Sequence, residues 1–158
     1  MRGKAITEKR VIKPDARYKS MMVAKFMTYM MRRGKKSVAS KIIYESFDII
    51  KEKTKKDPLN VFEVAIANAS PILEVRPRRI GGANYQIPME VPKHRATAIA
   101  MRWIIQAACD RQGKSMSEFL SGELIDAYNK VGSAMKKRED VHKMAEANRA
   151  FAHFARMG

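Results

Sequence analysis

ILEVRPRRIGGANYQIPMEV, residues 72–91, is the stretch in which the apolar period of the chain drops from the helical value to two. Leu73 and Val75 alternate with Glu74, Arg76 and Arg78, while Tyr85, Ile87, Met89 and Val91 alternate with Gln86, Pro88 and Glu90, a pattern that predicts two β-strands. Gly81 and Gly82, with Ala83 and Asn84, form the reversal between them, because glycine enters positive φ without a Cβ clash. Pro77 and Pro88 lack an N–H and so belong at outward edges or bulges, which keeps the ribbon from growing into a larger sheet. An isolated hairpin is marginal in water, so this one is a projecting arm that leans on helices. Arg76, Arg78, Arg79 and Tyr85 near its tip bring guanidiniums and an aromatic ring together, chemistry suited to phosphates and unstacked bases. The plainer reading is a charged edge that only blocks aggregation.

Outward from the arm, the period is helical on both sides. Residues 1–16 carry scattered bases, no apolar period and Pro14, which predicts an extended basic N-terminal arm ordered only by a partner. Asp15 offers the start of a first helix, from Arg17 to Arg33, with Met22, Phe26, Met27, Tyr29 and Met30 on its apolar side and Gly34 as its stop. Ser37 caps a second, through Lys53, whose stripe is Ala39, Ile43, Phe47 and Ile50. Asp57 and Pro58 are a cap and an N1 proline for a third, which ends at Ser70 and Pro71. After Pro92, Ala96, Ile99, Ala100, Trp103, Ile104, Ala107 and Ala108 make the broad face of a fourth, the most buried helix, with Cys109 beside it as a small core residue. Ser115 and Glu118 are the two ends of a capping box for a fifth, with Phe119, Leu120, Leu124, Ile125 and Tyr128 inward. Gly132 and Ser133 open a sixth that keeps Met144, Ala147, Phe151 and Phe154 on one stripe and Arg138, His142, Arg149, His153 and Arg156 on a positive one. The expected fold is mainly α: one six-helix domain over residues 17–158, with a two-stranded β-hairpin arm inserted between helices three and four, and an extended basic tail.

A chain of 158 residues suits one domain and buries enough surface to need no disulfide or metal. With 32 Lys and Arg against 16 Asp and Glu, the net charge of +16 attracts polyanions, and nucleic acid is the leading partner. No apolar run approaches the roughly 18 residues of a spanning helix, so no membrane is involved, and without a secretory signal the chain is expected to stay in the cytoplasm. The charge is concentrated at the start: residues 1–36 hold twelve of the bases and only Glu8 and Asp15 among the acids. Arg32, Arg33, Gly34, Lys35 and Lys36 put four cations and a bare backbone in one loop, a candidate phosphate cradle. Cys109 is the only cysteine, which excludes an intramolecular disulfide or a CxxC metal motif and fits a reducing compartment. His142 and His153 are spaced too widely for a helical metal pair. No nucleophile and base, acidic pair, Walker loop or metal cluster is present, so neither catalysis nor a cofactor or small-molecule substrate is expected.

These residues resemble a known family, ribosomal protein seven of the small subunit in its bacterial-length form, over nearly the whole chain. The resemblance rests on Ser20-x-Met22, Phe26-Met27, Gly34-Lys35-Lys36, Ile42-Ile43 and Ser46; on the run from Arg78 through Ile80 and Asn84 to Gln86; and on Lys136 to Asp140 with Met144 to His153. It implies six helices with a β-ribbon between the third and fourth, and a structural role: binding the 3′ major (head) domain of 16S-type ribosomal RNA, nucleating head assembly, and lying near the decoding region against exit-site transfer RNA and messenger RNA. Small-subunit proteins nine and eleven are the implied neighbours. Carried onto this chain, Arg2, Lys4, Lys9, Arg10, Arg32, Arg33, Gly34, Lys35, Lys36, Arg76, Arg78, Arg79, Arg95, Arg102 and Lys114 would hold ribosomal RNA. Gly81, Gly82, Ala83 and Asn84, with Arg138, His142, Lys143, Arg149 and Arg156, would face transfer RNA. The rival from another class is an architectural DNA-binding protein with a basic β-arm, but Gly81 to Asn84 contain no apolar wedge to open a base step.

Overall fold

The computed structural model describes residues 12–156, the side chains of 155 and 156 excepted. Arg2, Lys4, Lys9 and Arg10 therefore lie outside the described residues. The order is α1 (Met21–Met30), α2 (Lys36–Thr54), α3 (Pro58–Ala69), β1 (Leu73–Ile80), β2 (Ala83–Glu90), α4 (Lys93–Cys109), α5 (Met116–Tyr128), α6 (Ser133–Ala147) and a 3-10 helix (Arg149–Arg156). The arm between α3 and α4 is as expected; the two ends of the body are not.

At the N-terminal end, Asp15 does not start a helix. It is buried and its Oδ2 accepts the N–H groups of Arg17 and Tyr18, while Oδ1 accepts the Tyr44 hydroxyl of α2. These hydrogen bonds hold the Asp15 carboxyl below its ordinary pKa, although burial itself pushes the other way. Arg17 then reaches Asp48 of α2. The packed body thus extends back into the stretch expected to be free arm, and α1 starts only at Met21, with the Ser20 hydroxyl accepting the Val23 N–H.

The core is a single cluster of one face from each helix: Val23, Phe26 and Met27; Ile43, Phe47 and Ile50; Phe62 and Ile66; Ala100, Met101 and Ile104; Leu120 and Leu124; Ala134 and Met135. Phe62 is at its centre, its ring 5.1 Å from Phe26 and 5.5 Å from Phe47. Half of α3, six of its twelve residues, is buried, against seven of seventeen in α4, so α3 and not α4 is the most enclosed helix. Asp57 caps it by accepting the Leu59 N–H, and the Ser115 to Glu118 box on α5 closes in both directions. Cys109 is exposed at the end of α4, not in the core.

The arm is a regular antiparallel ribbon without a bulge, closed by Gly81 and Gly82 alone at φ +57° and +91°. Ala83 and Asn84, expected in the loop, are instead the first residues of β2, opposite Ile80 and Arg79. Opposed pairs in such a ladder alternate between bonded and unbonded, and Val91 N–H donates to Ile72 O at the root. Counting from there puts Pro77 and Pro88 at positions whose N–H would point outward, where none is missed.

Arg78 lies opposite Tyr85, and Arg76 opposite Ile87, so the apolar positions of β2 share a face with the charged positions of β1. That face turns inward: Ile87 and Glu74 are buried, while Leu73 and Val75 are half-buried on the other side.

Candidate nucleic-acid interface

Facing the body, Glu74 collects two of the arginines expected to hold RNA. Its carboxylate pairs with Arg76 of the same strand and, at 2.9 Å, with Arg95 of α4. Arg78 donates to the Phe154 carbonyl at 3.0 Å. Of the three arm arginines, Arg79 is the one on the outer face, exposed beside Asn84 and two rungs from Gln86.

From the arm root a cationic path follows α4. Its first residues, Lys93, His94 and Arg95, are exposed, and its N-terminus has no side-chain cap. A groove of about 720 Å³ between α1 and α4 continues the path; Lys25, His94, Arg95 and Arg102 line it with Tyr29 and Met21. The Arg102 guanidinium stands 5.2 Å from the centre of the Tyr29 ring, flat chemistry of the kind that stacks on bases. At the far end of α4, Arg32 reaches the Cys109 sulfur at 3.6 Å, which ties the α1–α2 turn to the same edge. There Arg33 and Gly34 both take positive φ, 52° and 73°, and α2 begins at Lys36 without a side-chain cap or an acid in its first turn. Lys35 and Lys36 donate their own N–H groups to the Arg32 and Gly34 carbonyls, but the next N–H groups of the uncapped first turn, the positive end of a helix dipole and four cations meet here, an anion-receptive arrangement. Ser37, expected as the cap, is already inside the helix. A smaller groove brings Arg32 and Lys35 near Met116, two residues from the exposed Lys114.

The C-terminal stripe is not assembled as expected. α6 stops at Ala147, Asn148 caps it, and the chain tightens into the 3-10 helix, so Arg149 and His153 leave the line of Arg138 and His142. Those two face the body. Arg138 donates to the Asn68 carbonyl at the end of α3. His142 Nε2 accepts the Ile72 N–H at 3.1 Å, and burial, assisted by the Arg138 charge, holds its pKa below the usual value. Both therefore position the arm root, while Lys143 and Arg149 remain exposed and the Arg156 side chain is outside the description. Tyr85, a candidate for stacking bases, instead lies 5.2 Å from Phe151 and 5.6 Å from Phe154, ring centre to ring centre. Sequence reasoning missed this cluster because it assumed one unbroken final helix. It also missed Arg111, which pairs with the fully buried Glu123 and with Asp126. No apolar signal marks Glu123 as interior.

A helical body with a ribbon arm, one edge lined by exposed cations, has the architecture of a protein that binds extended polyanions. The chain belongs to the ribosomal protein S7p/S5e family, whose model matches residues 2–149. Similar curated proteins include the small ribosomal subunit protein uS7 of Treponema denticola, 58% identical over 97% of each chain. That of Chloroflexus aggregans is 54% identical over 99% of this chain and all of its own, and that of Thermotoga maritima 56% identical over 93% and 95%. The family is structural, and the chain is not an enzyme.

Proposed function

We propose that this protein is a structural, RNA-binding component of the small ribosomal subunit in the cytoplasm. It binds the 3′ major (head) domain of 16S-type ribosomal RNA, nucleates head assembly and lies beside exit-site transfer RNA and messenger RNA. Small-subunit proteins nine and eleven are its neighbours in this reading. The observation that carries it is the cationic path along α4, from the arm root through the α1–α4 groove to the uncapped start of α2.

Along that path Arg32, Arg33, Lys35, Lys36, Arg102 and Lys114 hold phosphates, with the basic residues Arg2, Lys4, Lys9 and Arg10 extending the contact. Arg95 contributes through Glu74 by aiming the arm, Arg76 shares that carboxylate from the same strand, and Arg79 touches RNA directly. The turn Gly81 to Gly82, Ala83 and Asn84, with Lys143, Arg149 and Arg156, faces transfer RNA. The mechanism is electrostatic docking followed by shape selection. Six to ten phosphate contacts make affinity fall about 10³- to 10⁵-fold between roughly 50 and 200 mM salt, so charge alone gives no specificity. A-form grooves hide base edges, and a rigid body plus a fixed arm instead reads the geometry of a folded junction.

The test is a filter-binding titration against an isolated head-domain RNA fragment and a length-matched DNA duplex at several salt concentrations. A preference for the RNA that survives high salt is expected. Equal affinities collapsing together would leave a non-specific cation and overturn the reading.

A further inference from the structure

The arm is longer than its root can hold. At the root it is fixed by the Ile72 to His142 hydrogen bond, the Glu74 to Arg95 ion pair and the buried Ile87. From Leu73 to Arg78 the strand runs about 17 Å at roughly 3.3 Å per residue, and two strands alone do not stay straight over that length in water. What meets the arm there is the 3-10 helix. Tyr85 packs on Phe151 and Phe154, the His153 ring lies 4.0 Å from that of Phe154, and Arg78, directly opposite Tyr85, donates to the Phe154 carbonyl. All of these contacts fall on the inward face of the ribbon. The outer face, with Arg79, Asn84 and Gln86, is left exposed.

We propose that Phe151 and Phe154 are positioning residues for RNA recognition: the C-terminal 3-10 helix is a brace that fixes the direction of the arm so that Arg79 and the Gly81–Gly82 turn meet RNA already aimed. Phe154 lies beyond the 2–149 match to the family model, so the family match does not extend to this contact. The inference rests on the RNA-binding reading above for its consequence, but not for the brace itself. Ordering a loose arm at the moment of binding opposes association, and a brace removes that cost beforehand. Phe151 and Phe154 touch the arm and act through it.

The experiment uses the full chain and the double variant Phe151→Ala/Phe154→Ala. Neither residue belongs to the core cluster, so the helical body keeps its unfolding midpoint. Hydrogen exchange, which needs no RNA, reads the brace directly: amides of Arg78 to Gln86 should lose protection while those of α2 and α4 keep it. Affinity for the head-domain RNA should fall about tenfold, be restored by Phe151→Tyr/Phe154→Tyr, and show a clearly smaller penalty in an Arg79→Ala background, where the aimed side-chain contact is already gone. Unchanged arm protection overturns the inference, as does a penalty that simply adds to that of Arg79→Ala, which would mean that the rings touch RNA themselves. If the unmodified protein shows no preference for the RNA, the functional reading fails, and the exchange result still decides the brace.

Discussion

Arg111 shows how much of this molecule depends on single charges that leave no periodic trace. Glu123 is fully buried on α5, and Arg111, in the loop after α4, pairs with it and with Asp126. A buried carboxylate is tolerated only while it is paired, because desolvation costs more than an exposed charge gains. Arg111→Ala should therefore cost about 3 kcal/mol, the lower end for breaking a buried pair since the guanidinium is partly exposed. Glu123→Gln, which removes the charge and keeps a hydrogen-bonding group, should cost only about 1 kcal/mol. Urea unfolding of the two variants checks the order, and a larger loss for Glu123→Gln would contradict it. His142 gives the pH dependence its sign. Its imidazole must be neutral to accept the Ile72 N–H, and its folded pKa lies below the ordinary 6.5. The unfolded chain then binds the proton first as pH falls, so this contribution to stability is complete above about 6.5 and lost progressively below it until the folded pKa is passed. The arm root should exchange faster at pH 5.5 than the change in intrinsic rate accounts for. In His142→Ala that excess should vanish.

The arm behaves as an element with its own stability, because apart from Ile87 it contributes little to the interior. Gly82 is at φ +91°, and a Cβ there would meet nothing within 4 Å, so Gly82→Ala brings no clash, only the backbone penalty of left-handed φ, about 1 kcal/mol. That cost should appear as lost exchange protection in β1 and β2 with no shift of the global unfolding midpoint. Elements like this one were legible in the sequence because a local signal specifies them: Gly81-Gly82 for the turn, Asp57-Pro58 for the start of α3, Ser115 and Glu118 for that of α5. What local signals do not carry is the pairing between elements. Leu73 and Val75 look inward in their own strand, yet a two-residue turn sets a register that puts them opposite the outward positions of β2 and turns Glu74, Arg76 and Arg78 to the face that meets the body, where Glu74 alone of the three is buried. The same limit hides the break at Asn148. Spacing places Phe151 and Phe154 on the stripe of Met144 and Ala147, but the attraction of Tyr85 across the gap is tertiary. Candidate site residues divided accordingly: Arg32 to Lys36 are contiguous and needed no fold, while the roles of Arg76, Arg95, Arg138 and His142 depend on what the fold sets beside them.

At the scale of the whole molecule, a net charge of +16 would draw any polyanion, so the decisive issue is whether binding belongs to a site or to the field. α2 separates the two possibilities. Lys35 and Lys36 stand at its uncapped start, on the proposed RNA edge, and Lys51 and Lys55 stand at its other end, lining a cleft with Asp48 and Asp57. The helix has 19 residues, so about 28 Å lies between the ends, more than three times the roughly 8 Å over which charge is screened at physiological salt. Lys35→Ala/Lys36→Ala and Lys51→Ala/Lys55→Ala remove the same charge from the same helix. If the protein binds through its overall field, both weaken RNA binding equally. If the path along α4 and the start of α2 is the interface, the first pair removes two phosphate contacts and flattens the slope of log affinity against log salt by about 1.5, while the second leaves the slope unchanged. Parallel titrations of the two variants against the head-domain RNA measure that difference, and equal slopes would assign the affinity to net charge.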